Sequence, residues 1–237
     1  MSPTRLWRTL PPFTLPALTL CLSSHLALAE PRAEYADASE LNPEPTPHLA
    51  ETAMFARYQR STESSPVDVS VFEGATSNRV YLGRSVNYCL GLDGYAGGGD
   101  PGASYGATLF ILGLGARSQS QHFISLCGGG GFDRLGDTLP VGFKLTPELR
   151  AGVSLGPIRP LIYFQPSWQL KSNRQRADED YPFDDFEAGL WLRFGRQHHY
   201  WQELSAAGGL MLGVNYTDRA GVRQLGVSLG FDFAGGV

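Results

Sequence analysis

The stretch Ile158-Arg-Pro-Leu-Ile-Tyr-Phe-Gln-Pro-Ser-Trp-Gln-Leu-Lys171 carries the clearest structural pattern in the chain. Ile158, Pro160, Ile162, Phe164, Pro166, Trp168 and Leu170 alternate with Arg159, Leu161, Tyr163, Gln165, Ser167, Gln169 and Lys171, so one face is continuously apolar and the other mostly polar. A period of two is the mark of a strand. From Ile158 to Leu170 the pattern runs 13 residues, against ~9 to 11 for a strand that crosses a bilayer and ~5 to 6 for an ordinary soluble strand. The length predicts a membrane-spanning β-strand.

On either side of this stretch the pattern repeats. Leu145, Pro147, Leu149, Ala151, Val153 and Leu155 alternate with Lys144, Thr146, Glu148, Arg150, Gly152 and Ser154, and Leu225, Val227, Leu229, Phe231 and Phe233 with Gln224, Gly226, Ser228, Gly230 and Asp232. Eight such runs are predicted, at 80–93, 104–116, 119–128, 143–155, 158–171, 183–194, 206–216 and 223–233. The connections 94–103, 129–142 and 172–182 are read as long loops, whereas Arg117-Ser118 and Gly156-Pro157 are tight turns. Long external loops alternating with short turns are the rhythm of bacterial membrane barrels. Two connections break it, 195–205 being long for a turn and 217–222 short for an external loop.

Composition agrees. The 237 residues are 42% hydrophobic and 18% charged with 29 Gly, 16 Pro and 3 Cys, and the mean hydropathy is −0.16. These values exclude a multi-span helical membrane protein, a disordered tail protein and a disulfide-stapled miniprotein. Glycine near 12%, against roughly 7% on average, argues against a helical framework. A formal charge of −4 without a Lys/Arg cluster predicts no nucleic-acid partner.

The N-terminal residues 1–29 carry Arg5 and Arg8, no acid, a Leu-rich run from Leu15 to Leu28 and Ala27-Leu28-Ala29. This is the form of a secretory signal peptide cleaved after Ala29. Leu20 before Cys21 lacks the small residue that lipidation requires. Cleavage removes two Arg and no acid, taking the formal charge from −4 to −6 on 208 residues. Residues 30–78 are acidic and proline-punctuated, with Glu30, Glu34, Asp37, Glu40, Glu44 and Glu51 and no strand alternation. They are read as a disordered periplasmic lead-in, with one short helix over Leu49–Tyr58 as its only candidate element. The barrel is expected over 79–233 and a short tail over 234–237.

With signal peptide, alternation and loop rhythm in place, residues 79–233 resemble the small eight-stranded outer-membrane barrels of Gram-negative bacteria, the OmpA transmembrane domain and the OmpX-like proteins. The resemblance implies an all-β, closed, antiparallel up-and-down transmembrane barrel of eight strands. It also implies an outer-membrane location, contact with lipid and lipopolysaccharide, and insertion by the barrel-assembly machinery. In that family the last strand ends in an aromatic that the machinery reads, and Phe231 and Phe233 are similar to this signal although Ala234-Gly235-Gly236-Val237 follow.

In such a barrel Glu148, Arg150, Arg159, Gln165, Gln169, Asp185, Glu187 and Arg193 point inward, while Ile162, Phe164, Leu190, Leu192, Leu229 and Phe231 face lipid. Opposite charges in a narrow lumen must pair, because an unpaired buried charge costs several kcal/mol. The expected interior is a charged plug, and the expected role structural or surface-interacting. The alternatives are a narrow porin or export-channel component and, behind it, a lipid A-modifying enzyme.

Catalytic and metal motifs are incomplete. A PagL-type deacylase has His and Ser two apart on one strand face, whereas His122 and Ser125 are three apart and His122 and Ser120 are in reverse order without a carboxylate nearby. No catalytic residue, cofactor or resident metal is expected. His198-His199 diverge as neighbours and fit a turn near Tyr200 and Trp201. Gly128–Gly131 before Asp133 lacks the Lys and helix of a phosphate loop. Asp178, Glu179, Asp180, Asp184 and Asp185 form an acidic external loop, read as solvated, with a divalent cation as the alternative. Cys89 and Cys127 remain after cleavage. Export favours a disulfide, but positions on the first and third strands lie ~9 to 10 Å apart at ordinary strand spacing, beyond the ~7 Å limit between Cα atoms. The bond is expected only if Cys127 lies in a loop, and both outcomes stay open.

Overall fold

The computed structural model describes residues 48–83, 86–100, 102–117, 122–170, 182–195 and 207–236. They form ten antiparallel strands: β1 His48–Ser61, β2 Ser70–Gly83, β3 Val86–Asp100, β4 Gly102–Arg117, β5 Phe123–Leu135, β6 Leu139–Gly152, β7 Ile158–Gln169, β8 Asp185–Phe194, β9 Ala207–Arg219 and β10 Val222–Gly236. Each strand pairs with its sequence neighbours, and β1 pairs with β10 from Leu49↔Gly236 to Ser61↔Gln224 to close the barrel. It is an all-β, up-and-down barrel, as expected, but with ten strands instead of eight.

The two extra strands come from the segment read as a lead-in. Over 48–61, where the sequence offers only a short helix, β1 puts Glu51, Ala53, Arg57 and Gln59 inside and Ala56, Tyr58 and Arg60 outside. Charge on the buried face and small or polar groups on the other hide the strand from a hydropathy pattern. β2 likewise buries Glu73, Ser77 and Arg79, and Gly74, Thr76 and Asn78 interrupt its outer face between Phe72 and Leu82. Closure supplies what local pattern lacks, since an open edge leaves a row of unpaired backbone groups.

The boundaries shift accordingly. The expected strand 80–93 straddles the β2–β3 connection, and the expected loops 94–103 and 129–142 are mostly strand. Their glycines are used for close approach: a Cβ at Gly129 or Gly131 would overlap the carbonyl oxygens of Leu109 and Ala107 on β4. The tail is also in the sheet, since Ala234 pairs with Glu51 and Gly236 with Leu49. The β9–β10 connection is a two-residue turn with positive φ at Ala220 and Gly221, the twist a tight hairpin requires. The β4–β5 and β6–β7 connections lie at the same barrel end as the start of β1 and the end of β10, and the β5–β6, β7–β8 and β9–β10 connections at the other.

The seam between β6 and β7 is irregular. Its ladder holds at Lys144↔Gln169 and Leu145↔Trp168 and again from Leu149↔Phe164, but not between. The flanking register sets Pro147 opposite Pro166, and neither proline has an N–H to give the other's carbonyl.

Polarity is inverted relative to a soluble barrel. Among the outward side chains are Leu112 at 66% exposure, Leu114 at 68% and Leu229 at 56%. Inside, Glu73, Glu148 and Gln224 are wholly buried. Aromatic residues, Tyr58, Phe72, Phe132, Phe143 and Trp168, stand on the outer wall of β1, β2, β5, β6 and β7 toward the end away from the start of β1.

Candidate functional site

Strand alternation sends every second side chain into the lumen, and ten strands bring charged positions far apart in sequence to one height. Near the middle, Arg79 donates to both oxygens of Glu148 at 2.7 Å and to Asp93 at 2.6 and 2.8 Å. Arg150 lies 2.8 Å from the same Glu148 and donates to Ser77 at 2.7 Å, and Gln165 donates to Glu148 and Asp93. Phe110 stacks beneath the Arg79 guanidinium at 4.3 Å.

Toward the end where β1 starts and β10 finishes, Glu51 lies 3.5 Å from Arg117 and 3.7 Å from Arg193, and Asp232 lies 3.1 Å from Arg159 and 3.7 Å from Arg193. Toward the opposite end, Arg57 pairs with Glu73 at 2.7 Å and with Glu187 at 2.8 Å. Tyr163 donates to Glu187, Ser104 to Glu73 and Lys144 to Asp133. An apolar patch of Ala53, Phe55, Leu161, Tyr163, Trp191 and Met211 fills space between these charges. A cavity of about 70 Å³ lies in the lumen among Arg57, Tyr95, Lys144, Arg150 and Arg219, room for a few waters.

Of the residues expected inside, Glu148, Arg150, Gln169, Asp185 and Arg193 are buried, and Arg159, Gln165 and Glu187 are partly buried and face the same interior. Ile162, Leu190, Leu229 and Phe231 are exposed on the outer wall, with Phe164 and Leu192 partly covered there; Phe233 is partly covered. Sequence reasoning missed Glu51, Arg57, Glu73, Arg79, Asp93 and Asp133 as lumen groups, and set Asp232 on the polar face of the last strand without assigning it a partner. On β1 the signal was present as polar residues at even spacing, Glu51, Arg57 and Gln59, but without a continuous apolar face opposite them.

The two cysteines are bonded, with Cα atoms 6.1 Å apart, although Cys127 lies within β5 and not in a loop. Flat-sheet spacing fails here for two reasons. Both ladders of the intervening β4 are irregular at this height, between Tyr88 and Gly91 on β3 and between Phe110 and Leu112 on β4. And the β4 residue beneath the bridge is Gly113, where a Cβ would come within 2.9 Å of the Cys89 Cβ and 3.0 Å of the Cys127 Cα.

His122 is exposed and accepts from the Ser154 amide through Nδ1, while Ser125 is buried on the lumen face. The two do not meet, in keeping with opposite faces of one strand. Asp184 accepts from the Gln169 amide and Asp185 from the Ala220 amide and Gln169. Both are spent on the barrel rim rather than on an external loop. Gly128–Gly131 form part of β5 instead of a surface loop. Ala29, Ser120, Asp178, Glu179, Asp180, His198, His199, Tyr200 and Trp201 lie outside the described residues. The chain matches no protein-family model and no curated protein.

Proposed function

We propose that this chain is an outer-membrane β-barrel protein of Gram-negative type, with its apolar wall in lipid, its lumen closed by paired charges and a structural or surface-interaction role. One observation carries this: the barrel is apolar outside and charged inside. A soluble barrel with that arrangement would expose a belt of Leu, Ile, Val and Phe to water, far more than the few hundred Å² of contiguous apolar patch a soluble monomer normally shows. In hydrocarbon the same belt is at home, and closing the sheet removes the open edge whose backbone groups would otherwise go unsatisfied. The outer-wall aromatic residues are the interfacial girdle of such proteins, and β10, with Phe231 and Phe233, carries the aromatic residues that barrel assembly uses.

The lumen argues for a plug over a porin. Arginine–carboxylate bonds cross it at three heights, and a solute would have to break them. The test is refolding of the mature chain into phosphatidylcholine vesicles with flotation, a gel shift between unheated and boiled samples, and single-channel recording. Flotation with a gel shift and no unitary conductance is the expected result. A chain that stays soluble refutes the membrane assignment, and steady ohmic steps refute the plug.

A further inference from the structure

The β6–β7 seam and the lumen cavity lie back to back. The cavity is lined from β6 by Lys144 and Arg150 and from β7 by Tyr163, Gln165 and Ser167, of which Gln165 and Ser167 flank Pro166 on the inner face. Where the backbone ladder is missing, side chains hold the strands together: Thr146 Oγ1 and Ser167 Oγ are 3.0 Å apart, and Gln165 reaches Glu148. The Thr146–Ser167 contact carries none of the backbone ladder on either side of it.

Among the described residues, one cation on the cavity wall lacks an ion pair, although Asp93, Asp185 and Glu187 line the same wall. Arg57, Lys144 and Arg150 each have a carboxylate within 3.1 Å. Arg219 also lines the cavity, is 4% exposed, and has no carboxylate in ion-pair reach among the described residues. Its Nη1 is buried without a hydrogen-bond partner. The guanidinium rests on the Tyr95 ring at 5.0 Å, and the Tyr95 hydroxyl is likewise buried and unpartnered. The acids around it are engaged: Glu73 holds Arg57, Asp133 holds Lys144, Asp93 holds Arg79, and Asp185 accepts from Gln169 and the Ala220 amide. A buried donor pair without acceptors is costly unless something fills the space. A tetrahedral or planar oxyanion suits a guanidinium and a phenol.

We infer that the cavity binds the oxyanion head group of a membrane amphiphile, a phosphate monoester being the simplest, and that this head group enters sideways from the bilayer through the proline-broken β6–β7 seam. The inference rests on the membrane reading above and adds a ligand class, an anchor and a route. The acyl chain stays outside against Leu145, Leu149, Phe164 and Trp168, which line the seam on the lipid side. Arg219 and Tyr95 supply the hydrogen bonds, and the Thr146–Ser167 contact is the latch.

The test uses the full mature chain in neutral phosphatidylcholine vesicles, titrated with lysophosphatidic acid, with monoacylglycerol of the same chain length and with inorganic phosphate, and followed by calorimetry and ³¹P line broadening. Lysophosphatidic acid should bind saturably and the neutral lipid should not. Arg219→Gln should weaken binding by at least about tenfold and Arg219→Lys by less, both with the wild-type gel shift as the check on folding. The pair Thr146→Cys and Ser167→Cys, oxidised across the seam, should abolish binding of the lipid and regain it on mild reduction, with identically reduced wild type as the control for Cys89–Cys127. Undiminished lipid binding in the locked barrel overturns the lateral route. Equal binding of monoacylglycerol, or no change in Arg219→Gln, overturns the anion site. Inorganic phosphate that competes with the lipid and still binds the locked barrel makes the ligand a free anion entering from the aqueous mouth, and overturns the lipid source. A chain that inserts and gel-shifts but binds none of these refutes this inference alone, whereas a chain that never inserts refutes the membrane reading beneath it.

Discussion

Truncating Glu148 to Ala should be among the most damaging single changes in the barrel. The carboxylate is wholly buried, accepts three contacts of 2.7 to 3.0 Å from Arg79 and lies 2.8 Å from Arg150. Its removal leaves Arg79 with Asp93, and leaves Arg150 with the Ser77 hydroxyl and the Trp191 ring in place of a carboxylate. Removing one partner of a buried pair costs about 3 to 5 kcal/mol, because the other charge stays in a medium that solvates it poorly. Asp93 retains part of Arg79, so the lower half of that range applies, about 3 kcal/mol. Ser77→Ala removes a single hydrogen bond to the same cluster and should cost about 1 kcal/mol. The assay is urea unfolding of the vesicle-inserted barrel followed by tryptophan fluorescence, with the gel shift as an independent probe. A double-mutant cycle of Glu148→Gln with Arg79→Met should return a coupling above about 1 kcal/mol. Losses under about 1 kcal/mol for Glu148→Ala, together with zero coupling, would show that water or relaxed side chains solvate these charges, and the plug argument would fall.

Other outcomes follow from the same geometry. Gly113→Val should prevent the Cys89–Cys127 bond, read as two free thiols in denatured protein, while Cys89→Ser with Cys127→Ser should destabilise the barrel by up to about 4 kcal/mol for a sequence separation of 38. Leu190→Arg, on the outer wall between Ile162 and Val214, should cost about 2 to 4 kcal/mol near the bilayer midplane in refolding titrations, and an unchanged midpoint would contradict the face assignment. Ala220→Gly should stabilise the β9–β10 hairpin by about 1 kcal/mol in the same assay, since φ is 49° at Ala220. Deleting 226–237 removes most of β10 and the partner of β1, and should leave no protein that floats with vesicles.

Several features are legible in the order of residues alone. Alternation over 143–155, 158–170 and 223–233 places an apolar face opposite a polar one, and the strands β6, β7 and β10 cover most of those residues. The inward positions of Glu148, Arg150 and Arg193 follow from parity, because a strand has only two faces. The strands that alternation does not reveal are hidden in two ways. β1 and β2 bury charge and set small or polar groups such as Ala56, Thr76 and Asn78 on the wall, and the glycine runs of β3 and β5 carry no side chain to alternate.

Composition and a two-residue period are local quantities, and they suffice for the class of structure: all-β, with strand faces whose polarity suits a lipid-embedded barrel. Strand number is not local, since β1 and β2 are strands because β10 and β3 need partners. Nor is the choice of ion-pair partners. Arg79 meets Glu148 at a sequence distance of 69 and Arg57 meets Glu187 at 130, because partners across a lumen are selected by stagger and closure of the folded barrel. The disulfide shows the difference at one residue. Strand spacing forbids it in general, and the missing Cβ of Gly113, set beneath the bridge by two ladder irregularities, allows it here.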